Sequence, residues 1–133
     1  MSVSDRILFE NEAFRLYAIY EDVYLLNKSL KATLSQSVQS DIVIASIYGD
    51  PDSGLIAWNN AFVALAGCGL SLYFLETGES YSIGAQADNT LWTEGIYQSA
   101  EDEVHFVRFT AYTKDNKIRV HRLNVLSREV EVL

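Results

Sequence analysis

An all-β fold built from repeated antiparallel β units is predicted by three observations. Short apolar or alternating runs recur between turn signals, and no long apolar stripe of period 3.6 appears. The lone proline, Pro51, stands in the turn-dense stretch GDPDSG, while aromatic and β-branched residues are frequent in the runs around it. The chain also repeats itself. Asn11-Glu12-Ala13-Phe14 and Asn59-Asn60-Ala61-Phe62 each open an apolar run, a break, a second apolar run and a polar turn.

Taken in order, residues 6–10 read as a first strand. Residues 13–20 and 23–27 read as two more, joined across the polar corner Glu21-Asp22. Residues 31–38 suit a strand with Ala32 and Leu34 on one face, and LKATLSQSVQS also suits a short helix over 29–40. Residues 42–48, IVIASIY, make a strong strand that GDPDSG stops. Strands over 55–58, 61–66 and 70–76 follow, the last turning through Thr77-Gly78-Glu79 into 80–83. GAQADNT, 84–90, reads as a loop. A strand over 91–98 leads through the charged turn SAEDE to another over 104–112. Lys114-Asp115-Asn116-Lys117 closes a hairpin onto 118–125, and 128–132 alternates Val130 and Val132 with Glu129 and Glu131.

The Phe-led units are 48 residues apart at Phe14 and Phe62. Their second strands match at an offset of 49, Val23-Tyr24-Leu25-Leu26 against Leu72-Tyr73-Phe74-Leu75. A third copy starts near Glu103 with VHFVRF. In the middle copy, Gly67-Cys68-Gly69 divides two apolar runs and Glu76-Thr77-Gly78-Glu79 ends the second. This unit resembles a β-propeller blade, without the Trp-Asp and Gly-His signatures of the commonest blade family. The resemblance implies strands that are apolar on both faces, because a blade packs between two neighbours. AFVALAG and SLYFL meet that demand. Three units fall short of the roughly four that the smallest closed ring needs. The expectation is one domain over 1–133, a partial propeller-like or stacked set of sheets, with a β-sandwich or barrel as the alternative.

Hydrophobic residues make up 49% and charged residues 21% of the 133, which suits one globular core. No apolar run is long enough for a membrane span, and the first residues lack the pattern of a signal peptide. With the single Cys68, this leads to the expectation of a cytoplasmic protein with no membrane partner. Cys68 lies in an apolar run with no base nearby and reads as packing. The formal charge is −8, split into −11 over residues 1–103 and +3 over 104–133. Phosphate backbones repel such a body, so nucleic acid is not an expected partner, whereas a basic protein is steered toward it.

No catalytic motif stands out. His105 and His121 fall about 17 Å apart on a ladder and read as strand-surface residues that share neither a metal nor a proton. Asp50-Pro51-Asp52-Ser53-Gly54 starts like a calcium loop but has Ala61 where the twelfth-position Glu belongs. There is no zinc ligand set, phosphate loop or nucleophile motif. The expectation is therefore a protein with no cofactor or metal that is not an enzyme. Acids in turns next to aromatics are the remaining signal. Asp50, Asp52, Trp92, Glu94, Tyr97, Glu101, Asp102 and Glu103 make the candidate partner-binding set, the aromatics as anchors and the carboxylates as steering charge. In size, charge and lack of motif the chain resembles the immunity proteins of contact-dependent growth inhibition and polymorphic toxin systems. That resemblance implies an antidote that neutralises a cationic toxin, a nuclease in many cases, through acidic loops. The alternative is a β-repeat scaffold that self-associates, so monomer and homodimer both stay open. A small enzyme with a cryptic carboxylate pair is the third class.

Overall fold

The computed structural model describes residues 5–28, 41–86, 89–113 and 115–133. Both readings of residues 29–40, strand or short helix, lie outside the described residues. The remaining strands form three four-stranded antiparallel sheets, each a continuous meander in chain order, and none closes into a barrel. The first sheet holds β1 (Asp5–Glu10), β2 (Phe14–Ile19), β3 (Asp22–Asn27) and β4 (Asp41–Ser46). The second holds β5 (Ser53–Ile56), β6 (Phe62–Gly67), β7 (Gly69–Phe74) and β8 (Ser80–Ile83). A two-residue ladder follows, β9 (Ala85–Gln86) with β10 (Asn89–Thr90), in the stretch expected to be a loop. The third sheet holds β11 (Thr93–Tyr97), β12 (Phe106–Tyr112), β13 (Ile118–Asn124) and β14 (Val130–Val132).

The sheets stack. Leu16, Val23, Leu25 and Ile44 of the first sheet pack with Ile56, Val63 and Leu65 of the second. On its other side the second sheet sends Phe62, Ala64, Ala66 and Leu72 against Val107, Phe109, Ala111 and Leu123 of the third. Successive residues of β6 thus enter two different cores, and all six are buried. A strand covered on both faces needs an unbroken apolar run, which is why FVALAG lacks the polar alternation of β12. Each buried aliphatic side chain contributes about 1.5–3 kcal/mol. Three stacked meanders, and not two facing sheets, make the architecture, so the sandwich alternative is replaced.

The repeat extends to single hydrogen bonds. The residue before each Phe-led strand accepts from the residue after its partner strand: Lys28 N–H to Ala13 O, Leu75 N–H to Ala61 O and Val125 N–H to His105 O. The turns after β7 and β13 are the same turn. Gly78 N–H donates to Phe74 O and Arg128 N–H to Asn124 O, both at 2.8 Å. Gly78 and Arg128 both take left-handed φ, 76° and 68°. Arg128 therefore stands in the turn and not in the strand predicted over 128–132. The two opening stretches also touch, since Asn11 Nδ2 donates to Asn60 Oδ1 at 3.0 Å.

One latch joins the second and third sheets. Gly67 pairs with Gly69 across a hairpin whose apex is Cys68. Thr93 reaches into this hairpin from β11, its hydroxyl accepting from Gly67 N–H at 2.8 Å and donating to Gly69 O at 2.6 Å. Gly69 N–H donates to Leu91 O at 2.6 Å. Thr93 is one of two buried polar residues of the core among the described residues. The other is His121, only 6% exposed, stacked on Phe109 and bonded through Nδ1 to Arg119 O. Its expected place on the strand surface is corrected: it pairs with Phe109, so it shares the inward parity of the apolar residues of β12.

Candidate functional site

The eight candidate partner-binding residues separate into two groups at opposite ends of the stack. Asp50, Asp52, Trp92 and Glu94 gather at the end where β6 and β12 finish. Tyr97, Glu101, Asp102 and Glu103 lie toward the end where those strands begin. Glu94 pairs with Thr110, and the 101–103 turn reaches Arg108, two positions earlier on β12, through Asp102 and Glu101.

At the finishing end, turn 47–52 folds against β11. Asp52 Oδ2 accepts from Gly95 N–H at 2.8 Å, and Ser53 Oγ accepts from Ile96 N–H at 3.0 Å. These bonds bring Tyr48 and Trp92 to a ring separation of 6.5 Å. Neither ring is buried: Tyr48 is 72% and Trp92 53% exposed. Tyr112 and Ile118, paired across β12 and β13, extend the apolar surface and share a shallow notch with Trp92 and Glu94. Asp50, Asp52 and Glu94 stand exposed around it. Tyr48 is absent from the candidate set, though it ends an apolar run just before an acidic turn.

At the beginning end, the acids have different fates. Asp102 is engaged inside the protein, with its side chain only 2% exposed. Arg108 grips it with two bonds, Nε to Oδ2 at 2.8 Å and Nη2 to Oδ1 at 2.9 Å, and Arg122 Nη1 adds a third at 2.8 Å. Arg122 also pairs with Glu131 and lies over the Phe106 ring. Part of the basic C-terminal stretch thus neutralises this turn, and Asp102 is not free to meet a partner. Glu101 and Glu103 remain outside, 3.6 Å from Arg108 and His105 respectively.

The Arg108 guanidinium, helped by Arg122, holds the Asp102 carboxyl below the usual carboxylate range against the opposing effect of burial. A depressed folded-state pKa gives stability that is present above the unfolded value near 3.9 and lost as pH falls through the folded one. Asp102→Asn is expected to destabilise the protein by about 1–2 kcal/mol at pH 7, because the arginines that cover the carboxylate are themselves partly wet. Urea titrations should show that deficit shrinking as pH drops from 4 toward 2. An equal deficit at both pH values would exclude the ionic account.

Among the described residues no group of three His, Cys, Asp or Glu side chains could hold a metal ion, and no helix is long and apolar enough to cross a membrane. The chain matches no protein-family model and no curated protein sequence.

Proposed function

We propose that this chain is a protein-binding antidote that captures a cationic protein toxin through the finishing end of its sheet stack. The observation that carries the reading is the assembly there of exposed Tyr48, Trp92 and Tyr112 among Asp50, Asp52 and Glu94. These residues come from three separate stretches, and packing does not account for aromatic rings left so exposed. Aromatic anchors within a ring of carboxylates suit a basic partner, with affinity from the rings and encounter rate from the charge. Glu101 and Glu103 belong to the turn that leads into β12, and Tyr97, opposite Arg108, stands between that turn and this face.

The test is to mix the chain with a candidate cationic toxin domain. A complex should form at low salt, with association slowed at least tenfold on going from about 50 to 500 mM salt. Trp92→Ala should weaken it roughly 30-fold, as expected of a central aromatic anchor. No complex at low salt would end the proposal.

Self-association is the second reading. Its support is the outward face of the first sheet, where Ile7 and Val43 are exposed at the two ends of a cross-strand row that includes Tyr17 and Tyr24. Solution mass separates the two: the antidote reading expects a monomer until the basic partner is added.

A further inference from the structure

A cleft of about 640 Å³ lies at the end opposite the proposed toxin-binding face. It opens between the second and third sheets, where the turns after β7 and β13 diverge. Its floor is apolar. Phe62 and Phe74 meet edge to face at 6.4 Å, and Val104 closes the third-sheet side. Leu126 stands at the lip, 70% exposed on a turn where a polar residue would cost nothing. The carboxylates that line the opening are those of Glu76 and Glu79. Glu76 and Glu79 form one lip and His105, with Glu103 at 3.6 Å, the other; among the described residues no Lys or Arg lines the cleft. Arg128, two residues beyond Leu126, is laid over the Tyr81 ring at 4.2 Å.

We infer that this cleft is a binding site for a small organic ammonium, an apolar or aromatic body carrying one positive charge. The volume is in the range of small-ligand sites, and the lining has their pattern of an apolar floor with few polar groups. The Phe62 and Phe74 rings and Leu126 receive the body of the ligand. Glu76 and Glu79 face its charge, and an anion of the same shape is repelled. The lip keeps its form without a ligand because its turn is braced from within. Phe74 N–H donates to Glu79 O, Gly78 N–H to Phe74 O, and Glu79 N–H to Thr77 Oγ1. The glutamate side chains take no part in those bonds, so they can be changed without disturbing the turn. The site does not depend on the antidote reading, since it shares no residue with the finishing-end face.

The test is an NMR titration of the full chain with 2-phenylethylamine and, separately, with its anionic counterpart 3-phenylpropionate. The Leu126 and Val104 methyl signals are expected to shift and saturate with the amine at a Kd on the order of 1 mM. The anion should bind at least tenfold more weakly. The double variant Glu76→Gln, Glu79→Gln should keep the wild-type spectrum and lose about fivefold in amine affinity. Equal binding of amine and anion, no saturation with the amine, or unchanged affinity in the double variant would overturn the assignment.

Discussion

Replacing Gly69 with valine is expected to abolish the cooperative unfolding transition or to cost at least about 4 kcal/mol in a urea melt. Two effects combine there. The residue has φ 66°, where a Cβ costs about 1–2 kcal/mol, more for a branched side chain. A Cβ would also stand 2.2 Å from Ile83 O and 2.8 Å from Ala85 N, both backbone atoms that cannot swing away. The same hairpin receives Thr93 and donates to Leu91, so a shift that relieves the clash breaks the latch to the third sheet. Gly78→Ala is the control. Its φ is 76°, yet only the Tyr73 hydroxyl comes within 4 Å of the new Cβ, and Arg128 holds the equivalent place in the third sheet. It should cost about 1 kcal/mol. Similar losses at both glycines would show that backbone conformation alone, and not close approach, makes Gly69 necessary.

Phe109→Ala should destabilise the protein by about 3–5 kcal/mol, the usual range for emptying a fully buried aromatic site. Phe109 is the largest fully buried side chain among the described residues, and it stacks on buried His121 at 5.3 Å. Its loss leaves a void between the second and third sheets that the neighbouring β-strands cannot fill by a small shift. Phe109→Leu, which retains most of the volume, should cost about 1–1.5 kcal/mol. Equilibrium denaturation of both variants checks the pair. A cost under about 1 kcal/mol for the alanine variant would mean that this core tolerates collapse far better than its packing implies.

Much of this architecture is legible in the sequence because a strand between two layers must be apolar at every position. FVALAG carries that requirement openly, and the Phe-led repeat carries the spacing. The ends of strands are less legible. Residues 55–58 read as a strand that in the fold begins at Ser53 and stops at Ile56, since the 57–61 segment is needed for the turn that Asn60 makes at φ 59°. The candidate site was harder to read for a geometric reason. Glu94 and Glu101 are seven residues apart, but Glu94 stands within β11 opposite Thr110, whereas Glu101 follows that strand in a turn that reaches Arg108. Asp50 and Glu94 are 44 apart and meet through Asp52 and Gly95. Sequence composition also hides pairing. Asp102 looks like its neighbours Glu101 and Glu103, and only the cross-strand register of Arg108 with Arg122 reveals that it is enclosed.

The meander of each sheet has a consequence for folding kinetics. Every sheet is written in one stretch of chain, so its strands pair with their neighbours in sequence, and the slow search that distant strand pairing imposes is largely avoided. The middle sheet is different in what it needs afterwards. With apolar residues on both faces it gains little by forming alone, and each outer sheet must dock on it to bury its own core. Docking, more than strand pairing, is then expected to limit folding, and the second sheet of a nascent chain is expected to stay uncovered on its third-sheet side until residues 93–132 have emerged.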